Sequence, residues 1–295
     1  MHDHNVFAGA FVDRSGERRK DPDWLARAVT SGDSRFIPVW NHRCLLGGDP
    51  PAAVLLERHQ LDGKVDDSDF IFLGTFRGHP AFALSVDRTE APFPDLGEFR
   101  ELRYLGTVLP PDEANLVAHA RALVLWHASQ LYCGFCGAAS RATAGGNSRV
   151  CLNPECGREL FPRVDPAIIV LVSDGERCLL GRQRDWPEGI YSTIAGFVEP
   201  GESLEDSVRR EVFEETNIRV DRVSYHSSQP WPFPSSLMLG FFATAKATEI
   251  LLNDGELEDA RWFSREDLRS GTSKLPFRIS ISRRLIDHWL EHDEP

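Results

Sequence analysis

The sequence predicts an α+β protein in three parts: a mostly β N-terminal domain, a small cysteine-rich unit, and a C-terminal domain of strands and helices. Three observations carry that reading. Short apolar runs separated by turns occupy residues 35–108. Four of the six cysteines, Cys133, Cys136, Cys151 and Cys156, fall within 24 residues. Beyond them, strand-like runs bracket a helical pattern that contains seven acidic residues between Glu199 and Glu215. A length of 295 residues suits two domains with a small third unit, placed at 1–130, 131–162 and 163–295.

Bulk properties narrow the function classes. The chain is 41% apolar and 26% charged, with no low-complexity tract, as in soluble globular proteins. A net charge of −12 argues against a broad basic surface for nucleic acid. It still admits a nucleotide, since a metal ion can bridge acidic protein to phosphate. The longest apolar run, Ala167 to Val172, is far too short to span a bilayer. His2, Asp3 and His4 do not begin a basic-then-apolar leader, so a cytoplasmic location is expected.

In order, residues 1–30 are polar and charged, and Arg14 to Asp23 reads as a mobile or surface segment. Strands are predicted at Phe36–Trp40, Ala53–Leu56, Phe70–Leu73 and Ala81–Val86, with a turn at Arg77–Pro80 joining the last two. His42, His59 and His79 read as structural or surface residues. Pro110-Pro111-Asp112-Glu113 opens a helix with acids in its first turn, where the helix dipole favours them. Val117, Ala120 and Val124 give that helix an apolar face to about Gln130, and His119 and His127 on it read as incidental.

The cysteines follow as C-x2-C, fourteen residues, then C-x4-C. Paired thiolates on glycine-containing turns are what a tetrahedral zinc site needs. In a reducing compartment such a cluster reads as metal ligands before disulfides. Four protein ligands close the site, so this zinc is expected to hold the fold and not to act on substrate. A redox CxxC would leave Cys151 and Cys156 without a role.

Ala167–Val172 reads as a strand buried on both faces. Asp174-Gly175 turns the chain into a strand at Cys178–Arg182, with Cys178 a small core residue, and another strand spans Tyr191–Ala195. Ser203 is positioned to cap the acidic helix. With Leu204 at zero on a wheel of about 100° per residue, Val208, Glu215 and Glu211 fall at about 40°, 20° and −20°. Two carboxylates thus continue the stripe that Leu204 and Val208 would bury. Burying them unpaired costs several kcal/mol, so a cation is expected there: Arg210 in part, a divalent metal for the rest. A solvated acidic helix is the plainer alternative, and the wheel argues against it.

Val220–Ser228 looks extended. Ser228 to Ser236 then alternates three prolines with two large aromatics, so neither a helix nor a central strand can persist there. From residues alone this stiff loop is equally a surface plug or a preset wall for a planar ligand. A strand at Leu237–Ala245, a turn at Leu251–Glu256 into the acidic stretch Glu256–Asp259, a short helix at Ser264–Arg269 and a helix at Ser280–Leu290 complete the chain.

The pattern Gly196, five residues, Glu202, seven residues, Arg210-Glu211-Val212, one residue, Glu214-Glu215 resembles the Nudix box. The family's glycine two residues after the last glutamate is Asn217 here; asparagine tolerates the left-handed backbone such a helix end needs. Ser228-Gln229-Pro230-Trp231-Pro232-Phe233-Pro234-Ser235-Ser236 resembles the signature of the NADH pyrophosphatase branch, and the four-cysteine unit resembles that branch's zinc ribbon. The resemblance covers residues 133–286 and, more weakly, the N-terminal domain. It implies a Nudix α/β/α sandwich with a mixed sheet, and hydrolysis of the pyrophosphate of NADH or NAD⁺ to NMN(H) and AMP. Removal of NAD caps from RNA 5′ ends belongs to bacterial members. It also implies a homodimer.

Carried over position by position, Glu211, Glu214, Glu215, Glu256 and the Ala195 carbonyl bind Mg²⁺ or Mn²⁺, and Cys133, Cys136, Cys151 and Cys156 bind Zn²⁺. Phe161, Phe197, Gln229, Pro230, Trp231, Pro232, Phe233, Pro234, Ser235, Ser236, Ser282 and Arg103 contact substrate. Hard oxygen ligands suit Mg²⁺ or Mn²⁺, which lower the charge of the pyrophosphate and the pKa of a water. Glu215 is the first choice of base and Glu214 the second, with Glu211 completing the catalytic set. The alternatives are a Nudix hydrolase preferring ADP-ribose or another nucleoside diphosphate derivative, and a catalytically inactive nucleotide- or RNA-binding protein.

Overall fold

The computed structural model describes residues 4–61, 70–253, 255–271 and 274–292. The chain divides into two compact units, one formed by residues 7–164 with 232–235, the other by the remaining stretches before 7 and after 164. Among the described residues no helix is long and apolar enough to cross a membrane.

In the N-terminal unit, β1 (Val12–Asp13) and α1 (Pro22–Thr30) precede β2 (Arg35–Trp40), β3 (Arg43–Gly47) and β4 (Ala52–Ala53). After these come β5 (Phe70–Phe76), β6 (His79–Val86), β7 (Glu98–Arg100) and α2 (Pro111–Ser129). The sheet order is β1-β5-β6-β2-β3-β4 with β7 beside β3, and β2 and β6 run parallel with Phe36 opposite Phe82. Phe36, Leu56, Phe72, Phe82 and Leu84 form its core. Three expected strands appear as β2, β5 and β6. The run at Ala53–Leu56 pairs only as β4 and one bridge from Leu56 to Phe36, because Glu57 then opens a turn closed by a capping box with Gln60. Arg14–Asp23, expected as a mobile or surface segment, contains a helical turn at Arg18–Lys20 and leads into α1, whose Asp21 side chain accepts from Trp24 N at 2.9 Å. An Asp-Pro pair is a helix-start signal that the polar composition masked.

Three short antiparallel strands follow, β8 (Ser140–Thr143), β9 (Ser148–Cys151) and β10 (Glu159–Leu160), in the order β10-β9-β8. The buried Arg149 guanidinium donates to the Ser140 hydroxyl and carbonyl at 2.8 and 2.7 Å and to His127 Nδ1 at 2.8 Å. His127, expected to be incidental, therefore links α2 to this ribbon.

The second unit holds β11 (Asp165–Ser173), β12 (Arg177–Arg182), β13 (Ile194–Phe197), α3 (Leu204–Thr216), β14 (Val220–Trp231), β15 (Ser236–Ala245), β16 (Asp259–Ser264), α4 (Arg265–Arg269) and α5 (Ile281–Glu291). The sheet is mixed, in the order β14-β15-β11-β12-β16 with β13 on β11, and β11 runs parallel to β15. Ile168, Val170 and Val172 pack with Val208 and Val212 of α3, and Ile169 and Leu171 pack with Ile281, Leu285 and Trp289 of α5. β11 is thus buried on both faces between two helical layers, the α/β/α arrangement expected.

Two expectations shift. The strand predicted at Tyr191–Ala195 begins at Ile194 and takes in Gly196 and Phe197; Ser192 makes a single bridge to Gly181. The proline-aromatic stretch is shorter as a loop than expected. β14 continues through Pro230 and Trp231, which lie opposite Leu237 and Ser236. β14 is the sheet's edge strand, where a missing proline N–H is tolerated. Asp254, within the turn expected at Leu251–Glu256, lies outside the described residues.

Candidate active site and metal centre

The acidic helix begins and ends as its sequence dictates. Ser203 Oγ accepts from Asp206 N at 3.2 Å, and Asn217 closes the helix in the left-handed region at φ 61°. Val208 and Val212 are fully buried, and the stripe continues into Glu211 and Glu215, the latter 3% exposed. Across from it, Gly196 on β13 has no room for a side chain: a Cβ there would lie 2.0 Å from the Glu211 carboxylate. The first glycine of the motif is therefore required by the approach of the carboxylate, not by backbone conformation.

Arg210 organises the cluster. Its Nε and Nη2 grip Glu202 at 2.6 and 2.8 Å, its Nη1 donates to Glu211 at 2.8 Å and Glu214 at 3.0 Å, and its Nη2 donates to the Phe197 carbonyl at 2.9 Å. That fork holds Glu202 down at about 2, helped by the Glu199 N–H. Glu211 is pushed the other way: burial raises it first, Arg210 opposes, and the charges of Glu214 and Glu256 add to the rise. Glu256, from the loop before β16, is thus an electrostatic neighbour of Glu211. Four carboxylates (Glu202, Glu211, Glu214, Glu256) are linked through Arg210 and Glu211, with Arg210 engaging three of them, and Glu215 follows on the buried stripe of α3. A divalent cation fits this excess of hard oxygen donors.

Around the cluster, Ala195 is exposed opposite Ile169 of β11, and Phe197 is 60% exposed. Ser282 and Gln229 are fully buried and their side chains are engaged. Ser282 Oγ accepts from Thr193 N at 3.1 Å and Ser192 Oγ at 2.8 Å. Gln229 donates to the Ile279 carbonyl at 2.7 Å and accepts from Ile281 N at 2.8 Å. Both hold the start of α5. Pro230 and Trp231 are half-buried at the end of β14, and Ser236 opens β15.

Within the N-terminal unit, Pro232 is buried and Phe233 lies under two guanidinium groups, Arg103 at 4.8 Å and Arg121 at 4.9 Å from its ring centre. Arg121 also donates to the carbonyls of Pro232 and His42. Phe233, Arg103, Arg121 and His42, with Arg43, Glu101 and Pro234, line a cavity of about 570 Å³. Ser235 is half-buried, and Phe161 is 66% exposed. Sequence reasoning missed Arg121, and no local signal marks it, since its contact is with a residue over a hundred positions away.

The four cysteine sulfurs lie within 4.8 Å of one another. Cys136 and Cys151 are 3.4 Å apart, Cys133 and Cys156 3.9 Å. Zinc–sulfur bonds of about 2.3 Å at tetrahedral angles place sulfurs about 3.8 Å apart, so the set fits that ion. Gly137 and Gly157, at φ 74° and 53°, let each knuckle curl back. Within the cluster, N–H groups of Cys136 and Phe135 lower the Cys133 thiol to about 7, while burial raises the Cys151 thiol to about 12.

Known proteins carry the same assembly. Residues 162–288 match the NUDIX domain, and residues 33–126 match the NADH pyrophosphatase-like rudimentary NUDIX domain. The chain is 35% identical to the NAD-capped RNA hydrolase NUDT12 of Macaca fascicularis, over 97% of this chain and 73% of that protein. It is 37% identical to the NAD-capped RNA hydrolase NudC of Mycobacterium bovis, over 94% of this chain and 92% of that one. The chain belongs to the Nudix hydrolases, in their NADH pyrophosphatase branch. A crystal structure of a NUDIX hydrolase from Nitrosomonas europaea aligns over 54% of this chain and 90% of its own, at 21% identity and a TM-score of 0.46. As a Nudix hydrolase, the chain works with divalent metal ions.

Proposed function

We propose that this Nudix hydrolase cleaves the central diphosphate of NADH and NAD⁺, giving NMN(H) and AMP, and removes NAD caps from RNA 5′ ends, the activity for which its primate and mycobacterial relatives are named. The observation that carries the reading is the carboxylate cluster on α3, buried against Gly196 and only partly matched by Arg210. Glu211, Glu214, Glu215, Glu256 and the Ala195 carbonyl hold Mg²⁺ or Mn²⁺; Cys133, Cys136, Cys151 and Cys156 hold a structural Zn²⁺. When bound, the catalytic ion neutralises the diphosphate oxygens and acidifies water. Arg210 fixes Glu211 and Glu214 in place, and Glu215, kept nearly dry by the core, accepts the proton as a water oxygen joins one phosphorus and the bridging P–O bond breaks. Glu214 is the second choice for that proton. Phe161, Phe197, Trp231 and Phe233 supply faces for the rings of the dinucleotide. Pro230, Pro232, Pro234, Ser235, Ser236 and Arg103 complete the substrate contacts, while Gln229 and Ser282 contribute through the backbone they hold.

The domain division at 1–130, 131–162 and 163–295, a homodimer, and a cytoplasmic location belong to the same proposal. The test is product analysis with NADH, NAD⁺, ADP-ribose and NAD-capped RNA at matched concentration in Mn²⁺. NMN(H) and AMP from the dinucleotides, with slower turnover of ADP-ribose, is the expected result. Faster turnover of ADP-ribose would transfer the assignment to that substrate class.

A further inference from the structure

Glu256 has a placement problem. It lies outside regular structure, between Ala245 and the start of β16 at Asp259. The next residue, Leu257, shares a core cluster with Ile194, the residue before Ala195. Where a carboxylate on a loop sits depends on what fixes the loop around it. Part of that restraint comes from the residues just after Glu256.

Two anchors are visible there. Leu257 is 7% exposed and belongs to the core beneath α3. It sits over Gly181 of β12, where a Cβ would come within 2.8 Å of its Cδ1 and 3.3 Å of Ile194 Cδ1. Glu258 is gripped twice by the next residue of that strand: its N–H donates to the Arg182 carbonyl at 2.9 Å, and its carboxylate accepts from Arg182 Nη1. Arg182 is itself held, donating through Nη2 to the Trp186 carbonyl at 2.9 Å, and its side chain is only 13% exposed. Strand pairing sets Arg182 opposite Asp259, so the grip begins where the ladder ends. The Glu258 side chain is 38% exposed, so the pair is shielded on the Arg182 side only; its charge-assisted hydrogen bond is directional all the same.

We propose that Arg182 is a positioning residue for the metal site: through Glu258 it fixes the loop that carries Glu256, with Leu257 over Gly181 as the second point of attachment. The inference rests on Glu256 being a ligand of the catalytic ion. Residues that orient ligands without touching the metal typically change its affinity by about 10–100-fold. Arg182→Ala is therefore expected to weaken Mn²⁺ binding about tenfold, measured by the electron paramagnetic resonance signal of free Mn²⁺ without nucleotide.

Three companion variants complete the experiment. Glu258→Gln removes the ion pair while keeping side-chain shape and the backbone hydrogen bond, so it should weaken Mn²⁺ binding in the same direction even if Arg182→Ala folds poorly. The exchange Arg182→Glu with Glu258→Arg should restore most of the affinity lost by either single reversal. Glu256→Gln should weaken binding at least as much as Arg182→Ala. If Glu256→Gln lowers Mn²⁺ affinity while Arg182→Ala and Glu258→Gln lower only thermal stability, the positioning role is overturned and the ligand assignment stands. If Glu256→Gln leaves Mn²⁺ affinity unchanged, the ligand assignment itself is wrong.

Discussion

The two Nudix-related regions of this chain each build a sheet on a similar plan and differ in one connecting segment. In the N-terminal unit the hairpin β5–β6 joins β2 in parallel, and β3 and β7 extend the sheet antiparallel. In the C-terminal unit the hairpin β14–β15 joins β11 in parallel, and β12 and β16 extend it the same way. A helix follows each sheet's last strand, α2 in one and α5 in the other. Between β13 and β14, however, the C-terminal unit carries Glu199 to Thr216. The matching stretch of the N-terminal unit, residues 54–69, has no G-x5-E-x7-R-E pattern. The sheet is a scaffold that folds with or without a reaction; the chemistry resides in the loop and helix attached to it.

That contrast is sharpest at Glu215. Glu215→Gln keeps the size of a buried side chain and removes its charge, so turnover of NADH should fall by roughly 10²–10⁴-fold with thermal stability nearly unchanged. Glu57→Gln, in the corresponding stretch of the N-terminal unit, should leave turnover within about twofold, as surface changes usually do. Near wild-type Mn²⁺-dependent rates for Glu215→Gln would break the comparison. Gly196→Ala comes next in size. The added methyl would enter the Glu211 carboxylate, and displacing a catalytic group by about 1 Å commonly costs on the order of 10²-fold. Rate loss without loss of fold, read by steady-state kinetics beside circular dichroism, is the expected outcome.

What was readable in the sequence was whatever the chain stores locally. Glu211 and Glu215 declare themselves because helical periodicity compares residues four apart, and the wheel already places them on the buried side. The cysteines declare themselves by spacing, and Asn217 by its tolerance of positive φ. The duplicated sheet was not readable. Its signature is which strands pair, and the parallel partners of β2 and β6 lie 46 residues apart with no pattern linking them. Likewise, Arg121 over the Phe233 ring and Arg182 holding Glu258 are contacts between distant segments. The length of β14 was misjudged for a related reason: proline forbids a central strand, and only the sheet order reveals that β14 is an edge.

The ribbon is expected to give a smaller and different effect, because a metal held by its four sulfurs would act on folding and not on the reaction. Cys151→Ser removes one of four sulfurs from a site whose other three remain. Zinc content should fall well below one per chain, and the melting temperature should drop by about 5–10 °C, as expected when a structural metal is weakened. Residual turnover per folded molecule should stay near wild type. Lost activity with zinc content and melting temperature both unchanged would contradict a structural role.

The smallest predicted effect compares the helices that close the two sheets. Both carry histidines that the fold keeps neutral. On α2, burial, with Arg14 and Arg19 nearby, lowers His119 to about 3. On α5, His288 stacks on His292 at 4.2 Å and faces His226 of β14 at 5.0 Å. Burial first, then the charges of His288 and Arg284, lower His226 to about 4. A histidine with a lowered pKa in the fold binds protons more readily once unfolded. Its contribution is complete above its ordinary value of 6.5, declines as pH falls, and is gone near 4. Stability should therefore fall between those limits, and α5 should loosen at the end opposite Ile281 and Ser282, which hold Gln229 and Thr193. His226→Gln should flatten that part of the pH dependence of the melting temperature and leave the part due to His119. An unchanged slope in the variant would mean that the α5 contact does not titrate in this range, and that the acid sensitivity resides in the N-terminal unit.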